Sequence, residues 1–176
     1  MNFWRSIELD LSKTNEKPRP DGMTAEYNKL GLKFLYPENW KLTEESDIGV
    51  ADSESSDENS GRIISLETPD GGATWAVHVY PAETDGDIVL KELLASLQET
   101  YEDLEIAQDR LELGDQEAVG VEALFYCLDF LVRAQIHTIK TSEHLLLFWS
   151  QAEDRAFDEQ KIVFQAISIS VLRSMA

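Results

Sequence analysis

The sequence contains a single cysteine, Cys127, so no disulfide can form within the chain. Its apolar runs, such as LLLFW at 145–149, are far shorter than the ~18 residues that a membrane-spanning helix needs. The first residues include Glu8 and Asp10 and no continuous apolar segment, which is unlike a secretory signal peptide. These absences predict a cytoplasmic protein that is not embedded in a membrane.

Basic residues are scarce: 15 lysines and arginines stand against 34 acids, which gives a net charge of −19 at pH 7. A polyanion of this kind repels phosphate backbones and anionic lipid surfaces over a Debye length of ~8–10 Å. We therefore expect neither nucleic acid nor a membrane surface as a partner. A protein partner with a basic surface remains compatible with this charge.

Motifs that would carry chemistry are also missing. The sequence contains no GxxxxGK[ST] or GxGxxG phosphate loop, no GxSxG nucleophile elbow and no HExxH zinc motif. The three histidines, at 78, 137 and 144, are not spaced as paired metal ligands. We therefore predict no catalytic residue, no metal site and no cofactor, and thus not an enzyme.

The acidic stretch at 43–61 raises the question of calcium. Aligned on an EF-hand loop, it places Asp57 where glycine is needed and Ile63 where a bidentate glutamate belongs. The motif fails, and seven acids without a base are typical of a solvated loop. Loose binding of divalent cations by this loop is left as an alternative.

Composition divides the chain into residues 1–27, a leader followed by a polar linker, and residues 28–176, a single domain. The linker SKTNEKPRPDGMTAE at 12–26 is polar and contains two prolines and a glycine. The leader carries Phe3, Trp4 and Ile7, in a segment too short for periodicity to distinguish helix from strand. These three side chains either fold back on the domain or contact another chain.

The domain begins with LGLKFLYPENW at 30–40. The alternation predicts a strand with Leu32, Phe34 and Tyr36 on one face, ended by Pro37, with Trp40 turned into the core. Next, RIISLE at 62–67 and TWAVHVY at 74–80 flank a Pro-Asp-Gly-Gly turn and predict a hairpin.

The period then changes to that of a helix over 87–107, with Asp85 or Asp87 as its N-cap. Strands follow at 110–113, 118–126, 130–140 and 144–152. A second helix at 155–168 is expected to turn Phe157, Ile162 and Ala166 inward, with Val163 as a further candidate. Ile167, Ile169 and Val171 could instead begin a short extended tail. The order predicts an α+β fold in which two main helices cover a central antiparallel sheet of about six strands.

Two stretches, LGLKFLYPENW and LLLFWSQAEDRAFDEQKIVFQAISISV at 145–171, resemble the opening and the ending of the PsbP-like family. That group includes the extrinsic photosystem II protein, a Ran-binding import factor and bacterial DcrB-like proteins. The resemblance implies an α/β/α sandwich over roughly 28–172. Ser170-Val171 departs mildly from the Ser-Phe typical of the group, and the group shares no catalytic motif that could be transferred to this chain.

The leading hypothesis is a non-catalytic protein-interaction or assembly module. One alternative is a cytoplasmic DcrB-like chaperone for a secretion effector. Another is a small-ligand-binding protein or enzyme with a pocket at the sheet–helix interface, lined by Trp75, His78 and Tyr126. A homodimer that pairs through an edge strand is also compatible with an open antiparallel sheet.

Overall fold

The computed structural model describes residues 23–29, 31–46 and 61–175. Within these ranges nine strands and two helices follow in the order β1 Thr24–Lys29, β2 Leu32–Pro37, β3 Lys41–Ser46, β4 Arg62–Glu67, β5 Ala73–Pro81, α1 Gly86–Thr100, β6 Glu105–Leu113, β7 Gln116–Cys127, β8 Phe130–Lys140, β9 His144–Glu153 and α2 Asp154–Ser174. Neither helix of the described ranges is both long and apolar enough to span a membrane.

The core of the fold is a sheet in which every neighbouring pair of strands is antiparallel. Its seven strands lie in the order β3-β4-β5-β9-β8-β7-β6, and β1 and β2 form a separate hairpin. The predicted α+β fold with a large antiparallel sheet and two helices is confirmed, with seven strands in the main sheet where about six were expected.

The two faces of the sheet are covered by different helices, as alternation of side chains along a strand requires. On β5, Trp75, Val77 and Val79 point to the α2 side, while Ala76 points to the α1 side. Trp75 is fully buried, and its indole N–H donates to the Ser168 hydroxyl of α2 at 2.9 Å. The arrangement is an α/β/α sandwich with an apolar layer on each side of the sheet.

Helix α1 begins where its cap was predicted and ends earlier than predicted. The Asp85 carboxylate accepts hydrogen bonds from the backbone N–H groups of Asp87 at 2.9 Å and Ile88 at 3.3 Å. The helix ends at Thr100, and residues 105–107, which were predicted as helix, belong to β6. Leu104 continues the helical spacing, but from Glu105 onward the chain pairs with β7 and is strand.

Helix α2 differs from the prediction in its inward face and in its length. Ile162 is 74% exposed and Ala166 is also exposed, so neither turns inward, whereas Phe157 is buried as predicted. Five residues of helix rotate a side chain by about 140° beyond a full turn, which takes Ile162 away from the face of Phe157. The buried face continues through Phe164 to Val171, so the extended tail was a wrong prediction.

The hairpin formed by β1 and β2 packs against α2. The backbone N–H of Leu35 donates to the Ser170 hydroxyl at 2.9 Å, and the Trp40 ring meets Phe164 edge-on at 6.0 Å between centroids. Trp40 is buried. The stretch LGLKFLYPENW and the C-terminal helix, which together suggested the fold, are thus in contact, and Trp40 serves the core.

Two expectations about the N-terminal half change. Strand structure is already present at Thr24–Lys29, which overlaps the stretch expected to be linker. Residues 43–46 lie in β3 and are not loop, because their backbone pairs with β4. Glu44 is also held by Lys29 and Arg62, each at 2.6 Å. The remaining acidic residues, 47–60, and the leader residues Phe3, Trp4 and Ile7 lie outside the described residues.

Candidate functional site

The three residues proposed to line one pocket lie apart. Trp75 is buried on the α2 side of β5, whereas His78 is buried on the α1 side of the same strand. Tyr126 is 57% exposed near the end of β7. The register across β9 and β8 places His78 level with Val119, which is seven residues before Tyr126. No common pocket results from these positions.

A buried polar cluster that the sequence did not reveal lies on the α2 side of β6, β7 and β8. His137 is 1% exposed, and its Nε2 lies 3.1 Å from Oδ2 of Asp109. The side-chain amide of Gln135 donates to the same Asp109 oxygen and to Oε2 of Glu122, both at 3.3 Å. Asp109 belongs to β6, Glu122 to β7, and Gln135 and His137 to β8, so side-chain hydrogen bonds connect the three strands on the face below α2.

The charge state of this cluster follows from burial. Burial lowers the pKa of His137, the neighbouring Asp109 carboxylate partly opposes that shift, and Lys161 of α2 adds to it. His137 is therefore neutral at pH 7, and its Nε2–H donates to Asp109, since a carboxylate only accepts. This imidazole, 1% exposed and bonded to Asp109, satisfies a buried polar group within the sheet.

A shallow groove of about 660 Å³ opens at the start of α1, between the loop that follows β5 and the adjoining ends of β7 and β8. Its charged lining is mostly acidic: Glu83, Asp85, Asp87 and Glu117, with Lys140 as the base. No histidine or cysteine lines it. Among the residues that the structure describes, no group of three or more histidines, cysteines and acids is placed to hold a metal ion.

The turn between β7 and β8 holds a large apolar side chain in an unfavourable backbone conformation. Leu128 has φ of 55° and is 82% exposed. The preceding hairpin, β6–β7, has a two-residue turn of the same plan, Gly114-Asp115, in which the first residue is glycine with φ of 70°. Positive φ at this position of a hairpin turn favours glycine, so leucine here is costly for folding.

Leu128 lies in the turn beside three apolar residues at the adjoining ends of β7 and β8, and we call these four residues, Leu124, Tyr126, Leu128 and Leu131, the tip patch. Tyr126 and Leu131 face each other across the two strands, on the α2 side of the sheet. Leu124 and Leu131 are half-buried. The patch ends at Arg133, which is paired with Asp154 at the start of α2 at 2.6 Å. Large apolar side chains exposed together at the end of one hairpin are typical of an interaction site.

The chain resembles cyanobacterial PsbP. The solution structure of that protein from Synechocystis has a TM-score of 0.49 and 14% sequence identity, with 89% of this chain and 96% of that chain covered. No protein-family model matches the sequence, and no curated protein does.

Two other solved structures are similar. One is PA94 of Pseudomonas aeruginosa, a protein of unknown function suggested to be a regulator, with a TM-score of 0.43, 8% identity and coverage of 82% and 92%. The other is LpqN of Mycobacterium tuberculosis, involved in cell envelope biogenesis, with a TM-score of 0.39, 14% identity and coverage of 88% and 84%. These likenesses are distant and give no functional information about this chain.

The sequence contained part of the signal for the tip patch. Strands were predicted at 118–126 and 130–140, and the short connection between them, with Asp129, is a turn. What the sequence did not indicate is that the residue before Asp129 takes positive φ, because the type of a two-residue turn depends on how the strands meet. The turns Gly114-Asp115 and Leu128-Asp129 can be compared because the strand registers show that both connect their strands with two residues.

Proposed function

We propose that this chain is a non-catalytic protein-interaction module that binds a protein partner at the tip patch. The observation that carries this proposal is Leu128, an exposed leucine with positive φ at a turn position where the neighbouring hairpin has Gly114. Folding alone favours glycine at this position. Leucine at this position costs stability and gains little burial within the chain, which supports a role for its side chain in binding.

The free energies of backbone strain and of burial in an interface support a binding role for Leu128. Left-handed backbone costs a residue with a side chain about 1–2 kcal/mol, and an 82% exposed side chain contributes little burial to offset it. Burying a leucine side chain in an interface gains roughly 1.5–3 kcal/mol. Tyr126, 57% exposed beside it, is of a residue type that often dominates binding energy.

The geometry favours this function over catalysis. His137 and Asp109 form a histidine–carboxylate pair at 3.1 Å, but His137 is 1% exposed and lies below the surface. The groove at α1 is separate from that pair and contains neither of them. The tip patch, in contrast, is open to solvent and needs no rearrangement of the described residues to be reached.

The proposal is tested by placing a photo-crosslinking amino acid at position 126 in the full chain, within cells of the source organism. Position 119 is the matched control, because Val119 lies on the same strand and is 49% exposed. We expect a specific crosslinked protein from position 126 and not from position 119. The purified partner should bind Leu128→Gly at least tenfold more weakly than the original chain, a loss of about 1.4 kcal/mol.

Two results would contradict the proposal. One is a crosslinking pattern that is the same from both positions. The other is a partner whose affinity is unchanged by both Leu128→Gly and Tyr126→Ala. Unfolding measurements on the same variants show that weaker binding does not arise from a lost fold, since Leu128→Gly is expected to be at least as stable as the original protein.

A further inference from the structure

We infer that the partner presents an apolar segment flanked by lysine or arginine, which docks on the tip patch with its basic side chains against a rim of carboxylates. This inference rests on the proposed function and adds to it the chemistry of the partner. It follows from the charges that surround the tip patch, taken strand by strand.

The first carboxylates of the rim belong to the strands themselves. Asp129 is exposed and directly follows Leu128 in the turn. Glu105, the first residue of β6, is exposed and lies opposite Leu124 in the register, so its side chain is on the same face as the patch. Neither carboxylate forms an ion pair with another residue of the described ranges, so both charges are available to a partner.

Further carboxylates come from the loop before β6. The Tyr101 ring lies 4.3 Å from that of Phe125, which fixes the start of this loop against the end of β7. Glu102 and Asp103 follow directly and are exposed. The loop starts on the α1 side of the sheet and leads directly to Glu105, so Glu102 and Asp103 add negative charge at the end of the sheet where the tip patch lies. Like the strand carboxylates, they form no ion pair within the described part of the chain.

The cations near the patch do not neutralise this rim. β7 contains no lysine or arginine, and β8 contains two. Arg133 lies close to the patch, whereas Lys140 lies at the opposite end of β8. Its guanidinium is held by Asp154 and Asp158, at 2.6 and 3.3 Å, and lies over the Phe157 ring. The exposed Arg155 of α2 is outnumbered by the carboxylates around it. An apolar centre with an acidic rim is complementary to an apolar anchor with basic flanks.

The same charges disfavour other occupants of the patch. A second copy of this chain would bring two rims of carboxylates together, in addition to two net charges of −19. An anionic membrane would be repelled for the same reason. A membrane of neutral lipids has no charge against it, and we therefore treat it as an outcome of the experiment.

The experiment uses the full chain and two synthetic helical peptides that share one face of leucines. One peptide carries lysines on the other face and the second carries glutamates. Binding is followed by NMR shifts of the protein and by titration at low and high salt. We expect the lysine peptide to shift Tyr126, Leu128 and Leu131, and the glutamate peptide to leave them in place.

Paired variants separate a specific rim from a general attraction to an acidic protein. Asp129→Asn with Glu105→Gln removes two charges at the rim, and Glu83→Gln with Glu112→Gln removes two exposed charges elsewhere. We expect the rim pair to weaken binding of the lysine peptide about tenfold at low salt, and the control pair to weaken it less than twofold. Both differences should shrink at 0.5 M salt, where the Debye length falls to about 4 Å.

Each remaining outcome overturns the inference. Equal effects of the two pairs would mean general charge attraction, and shifts confined to other surfaces, or no binding, would mean that the patch does not take a basic segment. Shifts at the patch with vesicles of neutral phosphatidylcholine, and not with the peptide, would assign it to a membrane. If Leu128→Gly lowers the affinity for the crosslinked partner and the rim pair of substitutions does not, this inference fails and the proposed function stands. If neither Leu128→Gly nor the rim pair lowers that affinity, both the inference and the proposed function fail.

Discussion

Folding and binding make opposite demands on Leu128, and this can be measured. Leu128→Gly relieves a positive-φ conformation that costs about 1–2 kcal/mol. Part of this gain in stability, roughly 0.4–1 kcal/mol, is lost because glycine gives the unfolded chain more conformational entropy. We expect the variant to be more stable by about 0.5–1 kcal/mol, which corresponds to roughly 1–4 °C in Tm for a chain of this size. Urea unfolding followed by tryptophan fluorescence measures the change.

Val119→Gly is the matched control for that prediction. Val119 is also an exposed apolar residue of β7, 49% exposed, but its φ is not positive. Glycine within a strand destabilises by about 0.5–1 kcal/mol relative to alanine, so this variant should be less stable than the original chain. If Leu128→Gly is destabilising to the same degree, the strain at the turn is absent and the support for the tip patch is lost.

His78 makes the stability of the fold depend on pH. Burial on the α1 side of β5 lowers the pKa of His78 to about 4, below its usual value of 6.5. The unfolded chain therefore binds a proton at a pH where the folded chain does not, so stability is full above 6.5 and is lost as the pH falls from 6.5 towards 4. We expect this residue alone to reduce the free energy of unfolding by about 2 kcal/mol between pH 8 and pH 5.

Comparison with a non-titrating variant isolates this effect from the carboxylates. The free energy of unfolding is measured by urea titration at pH 8 and at pH 5, both for His78→Gln and for the original chain. The loss of stability on acidification should be smaller by about 2 kcal/mol in the variant. A smaller residual loss is expected in the variant because burial also lowers the pKa of His137. An identical pH dependence in the two proteins would show that His78 is accessible to protons in the folded state.

At the scale of secondary structure, most strands were predictable because alternation is a local property. Strand pairing is not local, and the secondary structure was mispredicted where pairing overrides the local pattern of apolar residues. Leu104 fits the stripe of α1, yet residues 105–107 are strand because β6 pairs with β7 along nine residues. The inward face of α2 was misjudged at Ile162 because a helix with apolar residues on several faces does not state which one the sheet will cover.

The candidate site was less predictable than the fold for the same reason. Asp109 and His137 come from β6 and β8, and they meet because the registers of two strand pairs bring both level with Gly120, next to Glu122 and Gln135. The pocket expected from Trp75, His78 and Tyr126 conflicts with the alternation of β5, which puts Trp75 and His78 on opposite faces of the sheet. Leu128 lies in a turn that could be located from sequence, but its backbone conformation could not be read from residue types.

The β7–β8 pair tolerates no side chain at one position, and this gives a prediction for the element. A Cβ added to Gly120 would lie 1.9 Å from the backbone oxygen of Ile136 and 2.7 Å from the Cα of His137. Because backbone atoms of a paired central strand cannot move aside, Gly120→Ala should destabilise by at least about 3 kcal/mol, at the upper end of single substitutions. Chemical unfolding, or a loss of soluble folded protein, measures this effect.

Gly114→Ala serves as its control. A Cβ at Gly114 meets no atom within 4 Å, so only its φ of 70° opposes a side chain there. The expected loss is about 1–2 kcal/mol, smaller than that of Gly120→Ala. Equal losses in the two variants would mean that β7 can move away from β8, and the close approach of the strands would not be a fixed feature of the sheet.

The whole molecule combines two covered sheet faces with two edges, β3 and β6, at which the main sheet ends. Charged residues on β6, among them Arg110 and Glu112, oppose pairing of that edge with another strand. The homodimer expected from an open sheet stays a prediction, and size-exclusion chromatography with light scattering would test it. The tip patch does not depend on that result, since it lies on a sheet face and a turn.

Charge at the scale of the molecule should make the fold and its partner respond to salt in opposite directions. A net charge of −19 destabilises the compact state by self-repulsion, and screening relieves it. Raising NaCl from 0.01 to 0.3 M shortens the Debye length from ~30 Å to about 6 Å, and we expect Tm to rise by at least about 2 °C, which corresponds to roughly 1 kcal/mol.

Over the same range, binding of the basic segment to the tip patch should weaken, because its attraction to the carboxylate rim is screened while the fold that bears the rim is strengthened. A variant with Glu83, Glu99 and Glu112 changed to glutamine should show a smaller rise in Tm and an unchanged loss of binding. If salt lowers Tm, pairing of opposite charges outweighs repulsion in this fold; if salt strengthens binding, the apolar patch alone holds the partner and the rim does not take part.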